Sequence, residues 1–176
     1  MSRIRIGRIV ADGSTLECEL HPSGELERFC TGDPFRVSYD RPIEDVPEAI
    51  RSIPVLANVC PVAWAAGGDV YVETVDETFA HALCAVKETL FELYDFFEGG
   101  TLYAKETVDT PPPVSKAATD GAGGQSALLF TGGVDSTCSY VRHREEAPTL
   151  VSIRGWTITP DPADDDDWAH LRRRVS

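Results

Sequence analysis

The segment Thr131 to Thr137 (TGGVDST) combines residue types that bind the phosphate groups of a ligand. Its two glycines lack a Cβ, so the backbone can turn tightly and approach a ligand closely. The hydroxyls of Thr131, Ser136 and Thr137 add neutral hydrogen-bond donors. The carboxylate of Asp135 does not attract phosphate. We expect it to cap the following helix, fix the loop, or meet a Mg²⁺ ion that bridges phosphate oxygens. The segment therefore predicts an anion-binding loop.

The flanking residues predict the elements that must position this loop. An apolar run at 126–130 (SALLF) is typical of a buried parallel strand, and residues 138–146 can continue as a helix. Residues 149–153 (TLVSI) predict a second strand, which completes a β-loop-α-β unit. The first N–H groups of the helix have no partner of their own and point at the loop, with the positive end of the helix dipole behind them. This arrangement favours pyrophosphate at the bend.

Other residues carry weaker signals for chemistry. Arg154 follows the second strand, where ligands approach open α/β sheets, and is a candidate contact for nucleotide or substrate. The acidic run at 164–167 resembles a metal cluster, but a solvated run that caps a helix over 168–175 is favoured. His81 and Cys84 lie three residues apart on a predicted helix, and two ligands without a second pair do not predict a metal site. We predict no metal-ligating side-chain cluster.

Two common phosphate-binding motifs are excluded by the residues themselves. A Walker A loop needs a Gly-Lys-Ser/Thr after its glycines, and no lysine follows Gly133 there. A dinucleotide-binding fingerprint needs Gly-x-Gly-x-x-Gly, which the segment lacks. One alternative stays open, in which the glycines form a simple tight turn and Asp135 is an ordinary N-cap.

The longer segment LLFTGGVDST resembles the Ser-Gly-Gly-x-Asp-Ser signature of the PP-loop ATP pyrophosphatase superfamily. That superfamily includes asparagine synthetases, GMP synthetases, tRNA-thiolating enzymes and 7-cyano-7-deazaguanine synthases. Gly132, Gly133, Asp135 and Ser136 match the signature, and Thr131 stands where the family usually has serine. The methyl group that threonine adds predicts a reshaped or weakened site.

The resemblance implies a fold, a reaction and a set of binding residues. Members share a Rossmann-like sheet and split ATP between its α and β phosphates with Mg²⁺. The AMP is placed on a carboxylate or carbonyl-type oxygen, which a nitrogen or sulfur nucleophile then displaces. ATP and Mg²⁺ are thus implied as cofactors, and the acceptor as a small molecule or a tRNA-related substrate. The implied nucleotide-binding residues are Thr131, Gly132, Gly133, Val134, Asp135, Ser136 and Thr137, with catalytic roles for Asp135 and Ser136.

The predicted fold class is α/β, with an incomplete Rossmann-like (PP-loop) β-α-β unit at 126–176 after a small α+β domain at 1–108. The segment between them, 109–125, is rich in Pro, Gly, Ser and Ala and is predicted to be a linker. A looser resemblance reaches over about residues 40–176, to PP-loop-like proteins in which a helix and strand like residues 54–73 precede the loop.

The N-terminal domain is predicted to contain short strands and two long helices. We expect a hairpin from residues 3–10 and 15–20 around Asp12-Gly13, and further strands at 35–38, 69–73 and 101–105. A helix is predicted over 47–66, which Pro54 and Pro61 should kink or divide and which Gly67-Gly68 should end. A second helix is predicted over 77–97, with Asp76 as its cap. The face of the second helix that is expected in the core carries Phe79, Leu83, Val86, Leu90, Leu93 and Phe97.

Composition predicts a globular protein with an unusual charge balance. The net charge is −13, and only three of the 16 basic residues are lysines. This balance argues against a general nucleic-acid surface, while leaving a local basic groove open. Abundant acid with few lysines is typical of a halophilic cytoplasm. No apolar run approaches the roughly 18 residues that span a bilayer, and the first residues lack a secretory signal, so we expect a cytoplasmic protein without a membrane partner. Five widely spaced cysteines without a Cys-x-x-Cys predict neither a disulfide framework nor a zinc site.

Residues 126–176 are too few for a doubly wound sheet. We therefore expect a truncated chain that lacks a C-terminal half or relies on a partner or a second copy of itself. The function expected first is ATP-dependent adenylation of an acceptor for ligation, amidation or thiolation. Two alternatives stay open, an inactive remnant or non-enzymatic nucleotide-binding module, and a protein-interaction role for residues 1–108.

Overall fold

The computed structural model of the chain describes residues 2–111, 126–154 and 161–175. The chain divides into two compact units, Met1–Pro112 and Pro113–Ser176. Over the described residues the fold is mixed α/β, with one mixed sheet and four helices. The division falls within the segment 109–125, most of which lies outside the described residues, so the linker itself stays a prediction.

The elements of the two units follow one another in this order. The first unit contains β1 (Arg3–Ile6), β2 (Val10–Asp12), β3 (Thr15–Cys18), β4 (Leu20–Ser23), a 3₁₀ turn (Gly24–Phe29), β5 (Phe35–Ser38), α1 (Glu48–Ala65), β6 (Asp69–Asp76), α2 (Glu77–Leu93) and β7 (Leu102–Val108). The second contains β8 (Ala127–Leu129), α3 (Val134–His143), a 3₁₀ turn (Arg144–Glu146), β9 (Thr149–Val151), a 3₁₀ turn (Pro162–Asp164) and α4 (Asp165–Val175).

The N-terminal hairpin is present, but a bulge divides it between two sheets. β1 pairs with β4, and β2 pairs with β3. Between these two ladders, residues 7–9 of the first arm face only residues 18–19 of the second, so the first arm carries one extra residue. Gly7 lies at this bend, where its N–H donates to the carbonyl oxygen of Glu19 at 2.9 Å. A Cβ on Gly7 would lie 3.0 Å from the same oxygen, which favours glycine there.

The main sheet has the strand order β4-β1-β6-β7, and a smaller antiparallel sheet has the order β2-β3-β5. β1 is antiparallel to β4 and parallel to β6, and β6 is parallel to β7. Parallel neighbours need a crossover, which α2 supplies between β6 and β7. Side chains alternate along β1, so Ile4 and Ile6 are buried in the core while Arg3 and Arg5 lie on the opposite face. The core side is covered by α1.

The prolines of α1 were predicted to kink or divide the helix, and the structure shows one continuous helix that is not divided at either proline. Each proline removes one backbone hydrogen bond from the helix interior. The buried side chains of α1, among them Leu56, Cys60 and Trp64, pack into the core. This tertiary packing supplies most of the stability of an amphipathic helix and offsets the two missing bonds.

Two glycines end α1, as predicted. Gly67 has a φ of +63°, and its N–H donates to the carbonyl oxygen of Trp64 at 3.3 Å. The N–H of Gly68 donates to the carbonyl oxygen of Ala63 at 2.8 Å. This pair of bonds forms a Schellman motif, which satisfies the last carbonyls of the helix and directs the chain into β6.

The cap of α2 is confirmed, whereas its core face is only partly confirmed. The carboxylate of Asp76 accepts a hydrogen bond from the N–H of Phe79 at 2.8 Å. The helix ends at Leu93 instead of residue 97. Leu83 is buried, but Val86 and Leu93 are 47% and 66% exposed. The helix α1 covers most of the available face of β6, so only part of the apolar stripe of α2 reaches the core.

Candidate phosphate-binding loop

The predicted order of strand, loop, helix and strand is found in the second unit. β8 and β9 pair in parallel, with Leu128 opposite Leu150. The strands are shorter than predicted, since they cover 127–129 and 149–151. The N–H of Phe130 donates to the carbonyl oxygen of Val151 at 2.7 Å, which holds the two strands together next to the loop. The loop residues 131–137 therefore lie together at the carboxyl end of β8 and the start of α3.

The two glycines of the loop have different backbone requirements. Gly132 has a φ of +78°, in the left-handed region that strains other residues. A Cβ there would also lie 3.2 Å from Cδ1 of Leu171 in α4. Gly133 is the N-cap of α3 with φ −77° and ψ 175°, an extended conformation that any residue adopts. A Cβ on Gly133 would meet only Oγ1 of Thr131, at 3.6 Å. The fold thus requires glycine at 132 but tolerates a side chain at 133.

The backbone donors at the start of α3 are unpaired among the described residues. The N–H of Thr137 donates to the carbonyl oxygen of Gly133 at 3.0 Å, which is the first bond of the helix. The N–H groups of Gly133, Val134, Asp135 and Ser136 donate to no acceptor in the described part of the chain. No side chain caps the helix, because the N-cap is itself a glycine. Four N–H donors and the positive end of the helix dipole therefore face the loop.

The hydroxyls of the loop are engaged with the loop itself. Oγ of Ser136 donates to the carbonyl oxygen of Gly133 at 3.1 Å, and Oγ1 of Thr137 donates to the same oxygen at 2.8 Å. Oγ1 of Thr131 and Oγ of Ser136 share a hydrogen bond of 3.3 Å. The expected role of these hydroxyls as phosphate donors therefore requires a change of rotamer. In this arrangement the backbone amides are the available donors.

Asp135 lies in the first turn of α3, and its side chain is exposed. The expected capping role is not found, because the helix has no side-chain cap. Its carboxylate forms no hydrogen bond that would fix the loop among the described residues. Contact with a Mg²⁺ ion, the third role considered for this residue, is not tested by the structure and stays a prediction. The alternative in which Asp135 is an ordinary N-cap is excluded by the same observation.

Arg154 is directed toward α4. Its Nη2 donates to Oδ1 of Asp165 at 2.6 Å and to the carbonyl oxygen of Asp161 at 3.1 Å, and its guanidinium lies 5.9 Å from the ring centre of Trp168. Asp165 is in the first turn of α4, where a carboxylate interacts favourably with the helix dipole. Arg154 thus anchors α4, and α4 places Leu171 against Gly132. The sequence had no signal for this long-range contact.

The loop is open to water. Among the described side chains of the second unit none is buried, and Val134 is 79% exposed. Within the described residues, no group of three or more His, Cys, Asp or Glu side chains is placed to hold a metal ion, and both His81 and Cys84 are exposed. A cation at this loop would therefore need ligand oxygens as well as Asp135.

The chain was compared with protein-family models, with curated proteins and with solved structures. None of the three comparisons found a match. No helix in the described part of the chain is long and apolar enough to cross a membrane. The loop itself is therefore the feature from which a function can be inferred.

Proposed function

We propose that this chain binds the phosphate tail of ATP at residues 131–137, as a PP-loop type adenylating protein with Mg²⁺. The observation that carries the proposal is the set of four N–H groups, from Gly133 to Ser136, that have no acceptor among the described residues at an uncapped helix start. Oriented amides and the helix dipole together favour a bound anion. Because Gly133 has no Cβ, a phosphate group has room to approach these amides closely.

The residues of the loop have distinct roles in this proposal. The four amides hold the β and γ phosphate oxygens, and the bend at Gly132 directs the amides toward them. Asp135, with an exposed and unbonded carboxylate, meets the Mg²⁺ ion that the phosphates bring. Ser136 donates to a phosphate oxygen after its hydroxyl leaves the carbonyl of Gly133. The chemistry that these groups support is positioning and charge stabilisation, with no general base in the loop.

A proline substitution tests the amides directly. Val134 is the first residue of α3, where the N–H is unpaired and proline is well tolerated. The preceding Gly133 is extended, as a residue before proline must be. Val134→Pro therefore removes one donor and leaves the helix intact. Because a hydrogen bond to a charged group contributes roughly 1.5–3 kcal/mol, we expect the Kd for ATP with Mg²⁺ to rise about tenfold or more.

Isothermal titration calorimetry with ATP, pyrophosphate and AMP, each with Mg²⁺, measures this effect. The matched control is Val134→Ala, which keeps the N–H and should bind ATP as the native chain does. Asp135→Ala should weaken binding only when Mg²⁺ is present, and Ser139→Ala, one turn further along α3, should have no effect. Equal affinities for Val134→Pro and Val134→Ala would refute the amide site. Absence of ATP binding to the native chain would remove the function altogether.

A second candidate function is nucleotide binding without cleavage. It is favoured by the exposure of the second unit, since adenylation needs a site that excludes water from the reacting atoms. Pyrophosphate release from ATP, measured with a panel of carboxylate and amide acceptors, separates the two candidates. Binding without release for every acceptor would support the second candidate, and release that Val134→Pro abolishes would support the first.

A further inference from the structure

The main sheet of the first unit has an open face that carries aromatic and basic side chains. We call it the open sheet face and define it by Arg3, Arg5, Tyr71, Glu73, Tyr103 and Lys105. These residues lie on the side of the sheet opposite the buried Ile4, Ile6, Val70 and Val72. A shallow depression of about 270 Å³ lies on this face. It is lined in part by Arg5, Tyr71, Tyr103 and Lys105.

Strand register places the key side chains in one row across the sheet. Arg5 pairs with His21 on one side and with Tyr71 on the other, and Tyr71 pairs with Tyr103. Since neighbouring strands are about 4.8 Å apart, the row from Arg5 to Tyr103 spans roughly 10 Å. The rings of Tyr71 and Tyr103 stack with their centres 4.9 Å apart and their planes 18° apart. Tyr103 is 46% exposed, so ring surface remains available to a ligand.

The cations on this face are available to an anionic ligand. The guanidinium groups of Arg3 and Arg5 form no ion pair with any described residue, although the chain has 29 acidic and 16 basic residues. Lys105 pairs with Glu73 at 2.8 Å, but both side chains are well exposed. An exposed pair of this kind contributes little to stability, so the lysine can exchange its partner for a phosphate.

We propose that the open sheet face binds single-stranded RNA, with bases stacked on the tyrosine pair and phosphates on Arg3 and Arg5. Aromatic rings on an open sheet are suited to unpaired bases, because each base offers a π-face, whereas bases in a duplex are already stacked on one another. The two arginines supply the charge complementarity that the acidic remainder of the surface lacks. The carboxylate of Glu73 repels phosphate but can accept a hydrogen bond from a ribose 2′-hydroxyl, which distinguishes RNA from DNA. The proposal is independent of the phosphate-binding loop.

Fluorescence anisotropy with the full chain and a labelled single-stranded RNA of about ten nucleotides tests this site at low salt. Tyr103→Val removes the aromatic ring but keeps a residue that favours strands. Because base stacking on an aromatic side chain contributes on the order of 1–3 kcal/mol, we expect its Kd to rise about fivefold to a hundredfold. Tyr103→Phe should bind as the native chain does. The matched control is Tyr94→Ala, since Tyr94 is 47% exposed but lies outside this sheet, and it should leave binding unchanged.

The charge contribution is tested by the salt dependence. Arg5→Gln should reduce the slope of log Kd against log salt by about 0.7, while Arg41→Gln, at an exposed arginine outside the sheet, should not. Single-stranded DNA of the same sequence and the RNA duplex should both bind more weakly than the single-stranded RNA. Three results would overturn the proposal. The first is that Tyr103→Val binds the RNA with the same Kd as the native chain. The second is that single-stranded DNA or the RNA duplex binds as tightly as the single-stranded RNA. The third is that polyglutamate of equal charge displaces the RNA, which would indicate a surface for acidic peptides.

Discussion

Replacement of Gly100 by alanine probes a close backbone contact beside the main sheet. Gly99 and Gly100 both have strongly positive φ values, +129° and +123°. A Cβ on Gly100 would lie 2.1 Å from the carbonyl oxygen of Gly68 and 2.9 Å from Cδ1 of Trp64. A Cβ on Gly99 would meet nothing within 4 Å. The two alanine variants therefore share the backbone strain and differ only in the contact.

The loss of stability in each variant follows from this difference. A residue held in a backbone region that only glycine favours lowers the free energy of unfolding by roughly 1–3 kcal/mol, and this is the whole loss that we expect for Gly99→Ala. Gly100→Ala adds the steric overlap, which typically costs about 1–3 kcal/mol. The overlap has no easy relief, because the oxygen belongs to Gly68, whose N–H is bonded to Ala63 at the end of α1. Relief would have to move the end of α1 or the chain that leads into β7.

Urea unfolding of the full chain, followed by far-UV circular dichroism, measures both variants. With a slope of roughly 1–3 kcal/mol per molar urea, the extra overlap should place the midpoint of Gly100→Ala about 1 M below that of Gly99→Ala. Gly99→Ala should itself unfold below the native chain. If the two variants unfold at the same urea concentration, the carbonyl oxygen of Gly68 does not lie against Gly100, and the predicted steric overlap is refuted.

Three further predictions concern the cap of α2 and the two buried cysteines. Asp76→Ala should lower the free energy of unfolding by about 1 kcal/mol in urea titrations, because the bond to the N–H of Phe79 is lost, and Asp76→Asn should retain most of it. Burial raises the pKa of Cys18 to about 11 and that of Cys60 to about 12, above the ordinary value of 9.0. Iodoacetamide at about pH 8 should therefore label the exposed cysteines, whereas Cys18 and Cys60 should react only after unfolding. The stabilisation from keeping both buried thiols protonated is present below pH 9.0 and should decrease as the pH rises toward 11–12, and equal stability at pH 8 and above pH 10 would contradict it.

Local backbone structure was predicted well from the sequence, because it depends on residues that are close together in the chain. The N-cap at Asp76, the helix end at Gly67 and the strand at 35–38 all involve residues close together in the chain. The hairpin was predicted in its pairing but not in its bend. A one-residue bulge leaves the apolar-polar alternation nearly unchanged, and only the three-dimensional pairing shows that the two halves belong to different sheets.

Packing was predicted poorly because it depends on which element covers which face. The apolar stripe of α2 indicated a fully buried face, yet Leu93 is 66% exposed. The prolines of α1 indicated a kink or a division, and the helix is not divided, because packing against the core offsets the missing bonds. The open sheet face had no signal in the sequence, since its row runs through three strands, β1, β6 and β7, that are distant in the chain.

For the loop, the sequence alone was enough to place the bend and the unpaired amides that follow it, although the N-cap is Gly133 and not Asp135. These follow from glycine's freedom and from the lack of partners for the first amides of any helix. Only the folded structure shows that Leu171 of α4 lies beside Gly132, that Arg154 binds Asp165 and that Asp135 remains exposed. The physical reason is that backbone conformation is set by local sterics, whereas the partner of a side chain depends on which distant residues the fold brings beside it.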